Sequence, residues 1–377
     1  MSALWIRGGT VVDPNRGKTT KEDVWIKQGQ IAPKDSSPTE IVNARGMYVA
    51  PGFVDLQVNG GMGHNFEDAS SEEVKAIVGF HATHGTICLL PTIITAHIDK
   101  MRASIGHIRQ ANHKAIRGVH IEGPFISMAR RGAHNPEHIM DPSLEKLRSL
   151  VEGNEDFIRL VTLAPELPDA ARISKGIRDL GAIASLGHSD ATYEEALFAI
   201  EDGISLFTHT FNAMSEFRHR DPGAVGAALA SDVMVDVIAD GVHVHPGALR
   251  LLFKAKGADR ICLITDAMSA AGLGDGEYRL GGLRVFAADD ATRLADGTLA
   301  GSTLTMDRAA KTYMAATGCS LTDAVKAASL NPVKLLGLEN RKGSIEVGKD
   351  ADIVIFDSDF IVQHTIIDGE VVYARHR

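Results

Sequence analysis

The chain has 377 residues, 44% of them hydrophobic, and a formal net charge of −9. That length suits a barrel with an accessory domain, and the apolar content suffices for a large core. The acid excess supplies no basic field for nucleic acid or an anionic membrane, so an anionic substrate must be caught by local contacts.

In chain order, residues 1–10 lack the basic, apolar and small-residue succession of a signal peptide. Short strands follow at 4–7, 10–12, 24–27 and 47–50, punctuated by Gly8-Gly9, Asp13-Pro14-Asn15 and Gln28-Gly29-Gln30. The C-terminal end has the same texture: residues 343–348 lead into strands at 351–356, 362–367 and 370–373. Neither end carries enough apolar surface to fold alone. The pattern predicts one small β-sandwich domain built from 1–50 plus 343–377, with residues 51–342 inserted between its halves.

The middle alternates strand-like and helix-like segments. Apolar runs begin near Phe53, Thr86, Arg117, Ile158, Ala182, Ser205, Met234 and Ile261, with helical patterns such as 71–83 and 192–201 between them. Eight βα repeats predict an α/β fold, a (β/α)8 TIM-like barrel. Residues 272–301 are rich in Gly and Asp, with strand-like pieces at 277–280 and 283–287, and read as a flap over the barrel mouth. Helices are expected at 303–316, at 321–329 and from Asn331-Pro332 onward. Cys88 and Cys262 fall in buried runs and Cys319 near a helix start, as reduced core residues would. No apolar run is long enough to span a bilayer, and a soluble cytoplasmic protein is expected.

The C-terminal strand ends carry the chemistry in such a barrel. The run Val119-His120-Ile121-Glu122 stops at Gly123-Pro124, so Glu122 projects past the sheet edge. The runs that follow end on His188, His209 and Asp266. One carboxylate with two imidazoles is a catalytic zinc set with an open position for water, and the aspartate fits a proton shuttle. Taken singly, His188 also fits a loop histidine, His209 a hydrogen-bonded core histidine and Asp266 a cap. The metal reading rests on their joint placement on one rim. His81, His84, His97, His107 and His113 have no partner in view and read as surface or capping residues. Asn59-Gly60-Gly61-Met62-Gly63 matches no phosphate-binding glycine pattern and reads as a flexible turn. In His243-Val244-His245, one histidine as a substrate ligand fits better than both on a metal, because Asp240-Gly241 breaks the strand.

Six motifs, Asp55-Leu56-Gln57-Val58-Asn59-Gly60, His120-Ile121-Glu122-Gly123-Pro124-Phe125, Gly187-His188-Ser189, Thr208-His209-Thr210-Phe211-Asn212-Ala213-Met214, Asp240-Gly241-Val242-His243 and Thr265-Asp266-Ala267, occur in one order. This set resembles the N-acetylglucosamine-6-phosphate deacetylases of the amidohydrolase superfamily over essentially the whole chain. The resemblance implies a metal-dependent hydrolase that converts N-acetyl-D-glucosamine 6-phosphate to D-glucosamine 6-phosphate and acetate in amino-sugar catabolism. It implies Glu122, His188 and His209 as metal ligands and Asp266 as the catalytic acid/base. It further implies substrate contacts from Ala133 and His134, Asn212 and Ala213 near the sugar phosphate, Arg220 as a phosphate-binding arginine, His243 on the sugar, and Leu299-Ala300-Gly301 in the flap. The ion and His134 would together stabilise the oxyanion, and the subunits would form a homodimer or homotetramer.

Many superfamily members place His-x-His at the end of strand one and a lysine at the end of strand four to hold two metals. Here Gln57 and Asn59 are neutral amides and Val161-Thr162-Leu163-Ala164-Pro165 has no lysine, which predicts one divalent ion per chain, Zn2+ first, with Fe, Co and Mn also compatible. Gluco or galacto substrate stereochemistry, a cyclic-amide hydrolase or base deaminase on the same rim, and a non-catalytic scaffold are the competing readings. The scaffold would have lost ligands that this chain keeps.

Overall fold

A computed structural model describes residues 3–34 and 38–375. The eight apolar runs form strands β1 (Phe53–Val58), β2 (Thr86–Ile94), β3 (Val119–Glu122), β4 (Ile158–Leu163), β5 (Ile183–Leu186), β6 (Leu206–Phe207), β7 (Met234–Ile238) and β8 (Ile261–Ile264). They pair in parallel in the order β8-β7-β6-β5-β4-β3-β2-β1. The ring closes where Val58 bridges Ala267, with Asp266 N donating to Gln57 O at 2.8 Å and Asn59 N to Ala267 O at 2.7 Å. Strands covered on both faces tolerate near-continuous apolar runs, and all nine residues of β2 are buried.

The connecting helices are started by their own sequence. Ser70 and Glu73 form a capping box on Ser71–Thr83, as Thr192 and Glu195 do on Tyr193–Glu201. On the first of these helices Val74, Ile77, Val78 and His81 make one stripe against the barrel. His81 is therefore not the surface residue expected: it is fully buried, with Nε2 3.0 Å from Gly60 O. That bond also explains the Asn59–Gly63 stretch, which is not a flexible turn. Gly60–Gly61 pairs antiparallel with His64–Asn65, and both glycines are buried.

Both chain ends meet in one mixed sheet. Its order is Glu370–Ala374, Val362–Ile367, Ile353–Phe356, Tyr48–Pro51, Ala3–Asp13, Lys18–Lys27, Gln30–Ala32, and Glu40–Asn43 also pairs with Ala3–Asp13. The two ends join directly at Val49↔Ile355 and Ala50↔Val354. Two details depart from the sequence reading. Gly8-Gly9 does not break a strand; it is a bulge within Ala3–Asp13, where Gly8 takes φ +75°. Glu40–Asn43 is an additional strand. After β8 the flap strands Gly276–Leu280, Leu283–Ala288 and Ala291–Arg293 make a small antiparallel sheet. The helix at 321–329 is Leu321–Val325 continued by a π-helical turn, Lys326–Leu330, into Asn331–Leu335.

The barrel interior is not wholly apolar. One step below the rim His120 (β3) sits between Thr92 Oγ1 (3.3 Å) and Thr162 Oγ1 (2.8 Å), and Thr208 Oγ1 joins Thr162 (2.7 Å) to Ser185 (2.6 Å). Burial lowers the His120 pKa to about 4, so this layer is neutral. It floors the site with satisfied hydrogen bonds.

Candidate active site

Glu122, His188, His209 and Asp266 all lie at the C-terminal ends of barrel strands, within one cavity of about 470 Å3. Nε2 of His209 is 3.0 Å from both Glu122 Oε1 and His188 Nε2, and His188 Nε2 is 3.3 Å from the same carboxylate oxygen. The other ring nitrogens decide what these atoms are. His188 Nδ1 faces Arg130 O (2.9 Å) and His209 Nδ1 faces Asn212 O (3.1 Å). A carbonyl oxygen only accepts, so both Nδ1 atoms carry a proton, and in the neutral rings both Nε2 atoms would point lone pairs at one another and at Glu122. Two such imidazole nitrogens and a carboxylate converging on one point are the donor set for a cation, and the residues present fit a divalent metal.

The electrostatics agree. Burial would raise Glu122, yet its bonds to His188 and His209 hold it well below the ordinary carboxylate range. Burial would lower His209, yet the Glu122 hydrogen bond and charge push it up to about 9, so without an ion its Nε2 holds a proton toward Glu122, which a bound metal would displace. The cluster attracts positive charge. His134 stands beside it, with Nε2 3.7 Å from Glu122 Oε2. Glu122, His134 and His188 offer ligand atoms within 4.8 Å of one another, but His209 approaches Glu122 more closely and makes the tighter trio. Thr95 Oγ1 donates to Glu122 O (3.2 Å) and accepts from His134 Nδ1 (2.8 Å), which leaves a lone pair on His134 Nε2. Burial and the neighbouring His188 lower His134 to about 3, keeping it neutral.

Across the cluster, Asp266 Oδ1 accepts from Asn59 Nδ2 (2.7 Å) and Gln57 Nε2 (3.1 Å), and Gln57 Nε2 also donates to Glu122 Oε1 (2.8 Å). An amide oxygen turned toward either carboxylate would repel it, so the orientation of Gln57 is fixed. Burial and the Glu122 charge raise Asp266 to about 6. Its backbone φ is +50°, and His188 (+48°), His209 (+35°) and Ala213 (+52°) share the left-handed region. Such conformations cost on the order of 1 kcal/mol each for residues with a Cβ and cluster where side chains are aimed for function. Gly187 is required beside them, because a Cβ there would lie 2.6 Å from Thr162 Cγ2.

The remaining expected residues divide. Ala133, His134, Asn212, Ala213, His243, Leu299 and Gly301 line the cavity. Ala300 packs behind them in an apolar cluster with Ile94, Met268 and Leu280. His243 is aimed by Asp240, whose Oδ2 is 2.6 Å from its Nδ1; His245 instead caps Pro246–Lys256. The flap is knitted onto the rim where Ser302 N donates to Asp266 O at 2.8 Å. Arg220 does not join: it is exposed, outside the cavity wall, with Nη1 2.6 Å from His219 Nε2. Sequence reasoning missed Asp55 and Asp236. Asp55 takes the Thr265 hydroxyl at 2.5 Å, and Asp236 accepts from His209 N. Burial raises them to about 7 and about 8. Asp55 stands two residues before Gln57, so strand alternation turns both to the interior, a signal available in advance.

Residues 48–372 match the family model described as "Amidohydrolase family". The chain is 39% identical to N-acetylglucosamine-6-phosphate deacetylase of Bos taurus, covering 98% of this chain and 91% of that protein. It superimposes on N-acetylglucosamine-6-phosphate deacetylase from Pasteurella multocida with TM-score 0.93 at 33% identity, over 99% of this chain and 100% of the other. An aspartate-to-alanine mutant of the Mycobacterium smegmatis deacetylase, solved in complex with N-acetyl-D-glucosamine-6-phosphate, gives TM-score 0.93 at 32% identity, over 99% and 100%. This chain belongs to the amidohydrolase family, among its N-acetylglucosamine-6-phosphate deacetylases.

Proposed function

We propose that this protein hydrolyses N-acetyl-D-glucosamine 6-phosphate to D-glucosamine 6-phosphate and acetate, as the names of its relatives describe for them. The observation that carries the reading is the pairing of a His2Glu donor set with an aspartate held a hydrogen bond away through Gln57. Glu122, His188 and His209 hold one divalent ion, with Zn2+ preferred. Such an ion, when bound, would supply Lewis acidity to the acetamide carbonyl and lower the pKa of a water, while His134, whose Nε2 carries a lone pair, would not donate to an oxyanion.

Asp266 takes a proton from the attacking water as the C–O bond forms, then delivers it to the sugar nitrogen as the C–N bond breaks. The two amide donors on Oδ1 leave Oδ2 to do this. His134 and His243 orient the sugar as hydrogen-bond partners. Gln57 supports one ion rather than two: its NH2 group donates to both Glu122 and Asp266, where a second cation would be repelled by those N–H groups. Arg220, outside its own cavity, reaches the phosphate from a neighbouring subunit, which makes the working enzyme a homodimer or a larger homo-oligomer. A cytoplasmic setting is part of this proposal; among the described residues no helix is long and apolar enough to cross a membrane. Acetate release from the gluco and galacto 6-phosphates, with a cyclic amide as a third substrate, tests the reading. We expect the gluco phosphosugar to dominate; turnover confined to the cyclic amide would overturn it.

A further inference from the structure

A sugar phosphate brings about two negative charges near neutral pH, and the cavity wall of this chain holds two guanidinium groups, Arg130 and Arg293. Arg130 is already neutralised, with Nε 2.7 Å from Asp190 Oδ1. Arg293 is not. It ends the flap strand Ala291–Arg293, and among the described residues no carboxylate oxygen lies within 4.0 Å of its nitrogens. Its Nη1 donates to Gly297 O at 2.9 Å, which holds the side chain against the flap turn while leaving further N–H groups unused. Its backbone bridges Leu299 antiparallel, and directly opposed residues in such a pair present their side chains to one face. Leu299 lines the same cavity.

We propose that Arg293 is an own-chain ligand of the substrate phosphate, which makes the flap a specificity element for 6-phosphorylated sugars. This rests on the proposed deacetylase function. Arg293 is joined to the chemistry by a short path. The Thr292 hydroxyl donates to Gly301 O, and the next residue, Ser302, donates its N–H to Asp266 O. A Cβ on Gly301, whose φ is +62°, would lie 3.2 Å from Asp266 O, so the flap rests directly on the proton shuttle. An anion drawn to Arg293 therefore secures the flap over Asp266.

The test uses the full-length, metal-loaded protein with Arg293→Gln and Arg293→Lys. It measures acetate release from N-acetylglucosamine with and without the 6-phosphate, and calorimetric binding of glucosamine 6-phosphate. Arg293→Gln should raise KM for the phosphosugar and weaken glucosamine 6-phosphate binding by about ten- to a hundredfold, the worth of one charge-assisted contact. It should leave kcat/KM for the unphosphorylated sugar at the wild-type value. Arg293→Lys should fall between, since it keeps the charge but not the planar fork. Equal losses on both sugars, or unchanged glucosamine 6-phosphate binding, would overturn the assignment. A wild-type protein that released no acetate would fault the deacetylase reading, and the binding arm would still decide Arg293.

Discussion

Two places in this molecule bury acidic groups against one another, and they resolve the charge differently. At the junction of the terminal sheet with the barrel, Asp350, Asp352 and Asp368 bring carboxylate oxygens within 4.8 Å of one another. Their cation is part of the chain: Lys342 Nζ lies 3.0 Å from Asp350 and 3.9 Å from Asp368 and bonds Asp352, with Arg341 on Asp350 at 3.0 Å. At the barrel rim, among the described residues, no Lys or Arg nitrogen comes within 4.0 Å of Glu122 or Asp266. Two imidazoles face the Glu122 carboxylate instead. The junction is closed by its own lysine and is structural; the rim is left open to a cation from solution.

Removing the rim's proton acceptor should have the largest consequence. Asp266→Asn keeps shape but cannot accept a proton, so kcat should fall by about two to four orders of magnitude while bound metal and substrate affinity persist. A folded, metal-replete variant with near-normal kcat would remove Asp266 from the mechanism. The mirror experiment is at the junction. Lys342→Ala strands buried carboxylates without their partner and should cost roughly 3–5 kcal/mol in denaturant unfolding, with kcat per folded molecule preserved. Comparable loss of kcat there would break the distinction between the two regions.

Arg220→Ala tests whether the phosphate borrows charge from outside the cavity. We expect about a ten- to hundredfold loss in kcat/KM on the phosphosugar and little on the unphosphorylated sugar; equal losses would show that Arg220 is not a phosphate anchor. The smallest effect is that of pH. As the proposed proton acceptor, Asp266, raised to about 6 by burial and Glu122, must be deprotonated, so activity should be present above its pKa and lost as pH falls through it. A bound cation pulls that value down. The acid limb of kcat/KM should therefore lie at or below pH 6, falling about tenfold per unit; a limb above pH 7 would contradict the assignment.

Much of this was legible in the sequence because each barrel strand is an apolar run ended by Gly, Pro or a polar residue. The rim residues are those run-ending side chains, so reading the strands located Glu122, His188, His209 and Asp266 together. What stayed hidden depends on contacts between distant segments. His81 lies on the apolar stripe of its helix, but only the fold shows that Gly60 waits for its imidazole. Gly8-Gly9 signals a break or a bulge equally well until the pairing with Lys18–Lys27 is known. Arg220 carries a motif match, yet its distance from the cavity is a property of the folded chain.

The account stands most directly on whether the rim requires a foreign cation for amide hydrolysis. Metal content and acetate release from N-acetylglucosamine 6-phosphate should be measured on one preparation as isolated, after chelation, and after return of Zn2+. We predict about one tightly held ion per chain, loss of acetate release with its removal, and recovery on reloading. Undiminished release from metal-free protein, or none from protein holding its ion, would contradict it.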